Sequence, residues 1–217
     1  MALTIDVVSD VVCPWCYIGK RRLEAALAAY AREFPDAAAP EIRWRAFELN
    51  PDLPAAGVDR REHYLAKFGE DHEVTIGRVQ SAGRDAGIAF AFDRIARQPN
   101  TRVAHALIAA APDAAVQEEL VEGLFRAFFI EGVDLTQPRN LEAVALRAGL
   151  DGDAIRAVLG AGAGLDRVSA EEEAAREIGV DGVPVFIFNR RYVVTGSQPV
   201  DVLLDAMRHA ASEEGAA

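Results

Sequence analysis

The sequence has no apolar run close to the roughly 20 residues a membrane span needs. Its longest candidate, "ALIAAAPDAAV", is short and broken by Pro112 and Asp113. It also lacks an excess of positive charge: 23 Lys and Arg face 34 Asp and Glu, a formal net charge of -11. That balance repels a phosphate backbone or an anionic membrane surface and argues against nucleic acid and lipid as partners. The opening "MALTIDVVSD" has no basic n-region and places Asp6 where an apolar h-region would run, so the chain is expected in the cytoplasm. Cysteine is scarce, with two in 217 residues, which excludes a disulfide framework. The four histidines, His63, His72, His105 and His209, show no finger-like spacing, so the ligands for a zinc site are missing and no metal is expected.

What is present is a core: 51% hydrophobic and 26% charged residues describe a soluble globular chain long enough to bury one. Residues 3–9, "LTIDVVS", read as a strand, and from Pro14 the pattern becomes helical until before Pro35. Residues 41–49, "EIRWRAFEL", alternate as a second strand, which makes the opening quarter β-α-β. Between about 60 and 165 no strand is evident, and helical segments are expected near 60–68, 72–86, 101–111, 114–130, 140–148 and 151–159. Ser169 with Glu172 reads as a capping box opening another helix, stopped by Gly179. "VPVFIFN" and "RYVVTG", joined by Asn189 and Arg190, read as a hairpin, and a last helix over 199–211 precedes the acidic tail "SEEGAA". The helical block therefore interrupts one α/β domain.

Both cysteines fall in "VVCPWCYIGKRR", between the first strand and the first helix. A metal site would need ligands from distant segments, and a staple closing so small a loop would remove little unfolded-state entropy. The redox reading has a mechanism. Cys13 directly precedes Pro14 at a helix N-terminus, where unpaired N–H groups and the helix dipole favour a thiolate and lower the thiol pKa. Cys16, one turn on, is placed to attack a mixed disulfide at Cys13. Val183-Pro184 directly precedes a strand: either a strand-initiating trans proline, or a cis proline facing the cysteine loop, with Val183 offering strand-like hydrogen bonds to a substrate.

"DVVCPWCYIGKRRLE", "WRAFELNP", "PNTRVAH", "GVDGVPVF" and "GSQP" together resemble the DsbA-like thiol-disulfide oxidoreductases of the thioredoxin superfamily, in particular the cytoplasmic FrnE-like subgroup. The resemblance implies a thioredoxin fold with a large all-helical insertion, divided as 1–57, a helical lid over 58–166, and 167–217. It implies Cys13 as nucleophile, Cys16 as resolving thiol, Pro184 as the cis proline, and Pro14 with Trp15 as the dipeptide that tunes the potential. Substrates would be protein or small-molecule disulfides and dithiols, with no tightly bound cofactor and with glutathione or another low-molecular-weight thiol as candidate co-substrate. Oligomeric state is left open, a homodimer included. Kappa-class glutathione transferases and 2-hydroxychromene-2-carboxylate isomerases share this layout but carry serine in place of Cys13, so an enzyme acting on an aromatic small molecule is the alternative. A holdase using the same cleft is a third reading.

Several further residues have two readings. Asn100 and Thr101 are helix-capping types, or Asn100 points into the cleft beside Cys13. His105, among Ala104, Ala106 and Leu107, reads as a packed histidine rather than a base. Asp6 and Asp10 flank the strand entering the motif, and either could relay a proton to Cys16. Trp15 is expected to be exposed, as an apolar landing surface.

Overall fold

The computed structural model describes residues 3–214; the first two residues and 215–217, the end of the acidic tail, lie outside the described residues. β1 (Thr4–Ser9) turns Ile5 and Val7 to one face and Asp6 and Val8 to the other, as strand alternation requires. α1 (Pro14–Glu33) buries Ile18, Leu23, Ala26 and Tyr30 and stops where Phe34 N–H bonds the Tyr30 carbonyl, one residue before Pro35. It is the crossover that lets β2 (Glu41–Ala46) pair parallel with β1, from Thr4 opposite Glu41 to Ser9 opposite Ala46.

The insertion contributes β3 (Val58–Asp59), α2 (Arg60–Phe68), α3 (His72–Asp85), β4 (Arg97–Gln98), α4 (Arg102–Ala109), α5 (Ala114–Arg126), α6 (Pro138–Arg147) and α7 (Gly152–Ala161). α5 runs on through a π-helical turn, Ala127–Glu131, ended by Gly132 in the left-handed region at φ 69°. α8 (Leu165–Glu177), β5 (Val185–Phe188), β6 (Tyr192–Thr195) and α9 (Val200–Glu214) then complete the sheet domain. The four-stranded sheet has the order β2-β1-β5-β6, with β5 antiparallel to both neighbours. α1 and α9 pack on the face of Ile5, Val7, Phe186 and Phe188, while α8 meets Val8 and Val185 on the other. This is the α/β architecture with an all-helical insertion expected above.

Two expectations are corrected. The helical block is not free of strand: Val58 and Asp59 pair with Gln98 and Arg97, a ladder too short for periodicity to announce. Ser169 is not an N-cap, because Gly164 at φ 82° already caps α8 five residues before it. The Ser169 hydroxyl instead donates back to the Leu165 carbonyl, at 3.3 Å. Glu172, which a capping box would turn to the helix end, accepts the Glu48 backbone N–H at 2.6 Å. α8 thus straddles the 166/167 division. The stop is as expected: Val180 N–H bonds Ala175 O and Gly179 takes φ 84°. The hairpin turn places Asn189 and Arg190 at φ 49° and 57°, and the register opposes Phe188 to Tyr192.

The insertion is fixed to α1 one residue beyond the second cysteine. Tyr17 stacks on Phe125 at 5.0 Å between ring centroids, and Phe129 meets Phe90, Phe92 and Phe128 at 5.2, 5.9 and 4.9 Å. Lys20, buried, meets Glu24, Glu118 and Glu122 at 2.5, 2.7 and 3.0 Å, the last two on α5. Three carboxylates around one buried ammonium raise its pKa against the cost of burial. Phe129→Ala, which removes the centre of the aromatic cluster, is expected to cost about 3–5 kcal/mol in urea unfolding.

Candidate active site

Cys13 is the N-cap of α1, with Pro14 as first helical residue, where the missing N–H has no intrahelical acceptor to lose. The loop is tied by Cys13 N–H to Asp10 O and by Cys16 N–H to Cys13 O, both 3.0 Å. Both thiols are free. Cys16 is 1% exposed, and burial pushes its pKa well above the ordinary thiol value. Contact with the Cys13 sulfur raises it further, against the weaker pull of the Ser9 hydroxyl and the Asp10 backbone N–H. The two thiols are therefore unequal: one opens onto a cavity, the other is held as a neutral thiol behind it.

Opposite Cys13 runs the Val183-Pro184 segment, whose peptide bond is cis. The Cys13 thiol donates to the Val183 carbonyl at 3.6 Å. Cys13, Pro14 and Trp15 line a cleft of about 270 Å³ with Val183, closed by Tyr64, Phe68 and Ile76 of the insertion. Trp15, at 38%, is exposed as expected. Pro184 lines a second groove, about 430 Å³, running along Gly179–Val185 and the Thr195–Gly196 end of the hairpin. A further cavity of about 430 Å³ lies on the α8 face of the sheet, against Asp6, Arg45, Ile178 and Ile187, and neither cysteine lines it.

The other candidates separate. Asp6 belongs to that distant face, where its carboxylate accepts from Arg45 at 2.7 Å. Asp10 is fully buried at the foot of the cysteine loop; it accepts the Leu49 N–H at 2.8 Å and faces His105 Nε2 at 3.4 Å. Asn100 does not line the cleft. Its amide donates to the Pro51 and Leu53 carbonyls at 3.1 Å and accepts the Arg102 N–H, so it holds the loop after β2 against the start of α4. Thr101 is the N-cap of α4 but makes no side-chain capping bond.

Sequence reasoning missed what surrounds His105. Glu48, buried, pairs with Arg102 at 3.4 Å, while Glu172, also buried, lies 3.7 Å from Arg176. Asp10 with His105, and the Glu48 N–H with Glu172, thus form buried polar contacts from the cysteine loop to α4 and from the end of β2 to α8, and the His105 charge acts on Glu48. The alternation of Trp44, Ala46 and Glu48 on one strand phase was the available signal, since it puts a carboxylate among inward-facing residues. Lys67, Tyr64 and Gln98 in the cleft were also missed, because nothing in a helix or a two-residue strand marks them beforehand.

Burial raises the Glu48 pKa, and the nearby Glu172 charge adds to it, more than His105 and Arg102 offset. A raised carboxyl pKa means that the stability Glu48 gives is complete below the unfolded-state pKa and lost as pH rises through the folded one. Glu48→Gln should therefore raise the melting temperature at neutral pH, with the gain shrinking under acid conditions in a thermal-denaturation pH series.

The DsbA-like thioredoxin domain family matches residues 4–208. The probable DsbA oxidoreductase of Streptomyces coelicolor superposes with TM-score 0.86 at 31% identity, covering 97% of this chain and 91% of that one. A 2-hydroxychromene-2-carboxylate isomerase shares the fold with TM-score 0.69 at 20% identity, over 98% of each chain. So does the cytosolic disulfide reductase DsbM of Pseudomonas aeruginosa, solved with GSH, with TM-score 0.63 at 18% identity over 98% of each chain. With its cysteine pair at the head of α1 and a family match over nearly its whole length, the chain belongs to the DsbA-like thioredoxin domain family, whose members are disulfide oxidoreductases.

Proposed function

We propose that Cys13 and Cys16 are a redox couple that exchanges electrons with a disulfide substrate through a mixed disulfide at Cys13. The observation that carries this is the inequality of the thiols: both are buried, but Cys13 lines the cleft 3.6 Å from Val183 O, whereas Cys16 lies off it with its pKa pushed well above the ordinary thiol value. The Cys13 thiolate attacks one substrate sulfur, the substrate S–S bond breaks, and the departing thiolate takes a proton. Cys16 then loses its proton and attacks the Cys13 sulfur. The second substrate thiolate leaves, and the two electrons of the dithiol have moved to the substrate. Run backwards, the same steps oxidise a dithiol.

The cleft has the size for a small disulfide and the groove past Pro184 for an extended chain segment, which supports both substrate classes. Glutathione is the natural candidate co-substrate, in keeping with the GSH complex of DsbM. Among the described residues no helix is long and apolar enough to cross a membrane, which is compatible with a cytoplasmic setting. The apolar lining of the cleft favours a second reading, a transferase or isomerase like the chromene carboxylate isomerase, with Cys13 polarising a bound thiol. Exchange takes precedence because a resolving cysteine would have no part in that reaction.

Cys13→Ser should abolish dithiol-dependent reduction of insulin, and Cys16→Ser should accumulate a mixed disulfide seen as a mass adduct after exposure to oxidised glutathione. Full insulin reduction by Cys13→Ser would sink the proposal, and isomerase turnover by Cys16→Ala would promote the second reading. Burial holds Cys16 protonated through the neutral range, and only its thiolate resolves the adduct. Single-turnover release from the preformed Cys13 mixed disulfide should then accelerate about tenfold per pH unit on going from neutral to mildly alkaline buffer.

A further inference from the structure

Resting on that exchange chemistry, we infer that the small disulfide admitted to the cleft is an organic anion, an apolar or aromatic body bearing a carboxylate, selected by the buried Arg60 behind the cleft wall and by Lys67 at its rim. The first ground is a distribution of charge. The chain carries 34 Asp and Glu, yet none of the residues lining the cleft is acidic. Much of the wall is apolar or aromatic, with Leu49, Tyr64, Phe68, Ile76, Val79 and Phe92, and its polar members Asn50, Thr75 and Gln98 are neutral. Lys67 lines it and, among the described residues, bonds only the neutral Asn50 amide, at 3.2 Å. His63 also lines it and adds no charge at neutral pH, since burial and Lys67 both lower its pKa.

The second ground is Arg60, the first residue of α2, which is 8% exposed. Its guanidinium sits 4.2 Å from the centroid of Tyr64 and 5.2 Å from that of Phe92, the two rings that separate it from the cleft. Nη1 donates to the Phe92 carbonyl at 3.1 Å and the guanidinium also acts on the Tyr64 hydroxyl, offsetting part of the rise that burial gives its pKa, while Nε and Nη2 have no partner in hydrogen-bond geometry. Among the described residues no carboxylate pairs with Arg60. An uncompensated buried cation is costly, and in so acidic a protein it is more costly to leave unpaired than to pair. Its field, little screened across two rings, acts in the cleft beside the nucleophile. An anion entering there supplies the missing charge, whereas a neutral disulfide leaves it unanswered.

The test compares the reduced protein's reaction with dithiobis(nitrobenzoate), an aromatic disulfide bearing carboxylates, and with neutral dithiodipyridine. Each rate is divided by that of dithiothreitol with the same disulfide, to remove intrinsic electrophilicity. Wild type should favour the anionic disulfide by about tenfold, as one charge-assisted contact provides. Arg60→Met and, independently, the solvent-facing Lys67→Met should each lower the ratio of normalised anionic to neutral rate several-fold. Arg60→Lys should restore part of the preference. Equal normalised rates in wild type, or a preference untouched in both methionine variants, would overturn the inference while Cys13-dependent reaction with both disulfides upheld the exchange chemistry. Absence of Cys13-dependent reaction with either disulfide would overturn the exchange proposal itself, and this inference with it.

Discussion

A parallel strand pair cannot be closed by a tight turn, and that constraint organises the molecule. β1 and β2 need a crossover, α1 supplies it, and the N-terminus of that crossover falls at the end of β1, where the cysteine loop is. The same helix must pack on the sheet through Ile18, Leu23 and Ala26 and hold the insertion through Tyr17 and Lys20. Cys13 therefore sits where the sheet domain and the insertion meet. The cleft exists because the insertion reaches over that junction.

Charge is sorted around this junction. Carboxylates are spent on structure: Glu118 and Glu122 hold Lys20, Glu171 caps the Ala46 N–H and pairs with Arg45, and Glu172 receives the Glu48 N–H. They gather behind the cysteine loop and on the α8 side and stay out of the cleft. Burying so many acids without disabling the fold requires that each find a donor, and backbone N–H groups at the end of β2 supply several of them. The acidity of the chain thus serves as internal mortar as well as solubility.

The strands, the first helix, the six helical segments and the hairpin could be read from periodicity and punctuation, since each is long enough to repeat its pattern. The β3–β4 ladder could not, since two residues per strand show no period. Ser169 misled for a different reason: the capping signal was genuine chemistry in the wrong place, overridden by Gly162 and Gly164 in the left-handed region a few residues earlier. The placing of Cys13 at the N-cap of α1, with Cys16 one turn on and Trp15 exposed between them, was legible in the sequence. Arg60, Tyr64, Lys67 and Gln98 were not, because their relation to Cys13 is created only when the insertion folds back over α1.

The cleft and the groove beyond Pro184 share Gly182 and Val183, and of the two only the cleft is lined by Cys13. Under the proposed exchange chemistry, electron donor and electron acceptor would meet one sulfur and could not be bound in reactive position together. Each would come, exchange and depart before the other enters, a double-displacement course between two covalent states. A donor present in excess would then compete with the acceptor for one doorway, and the balance of their concentrations would set the direction of flow.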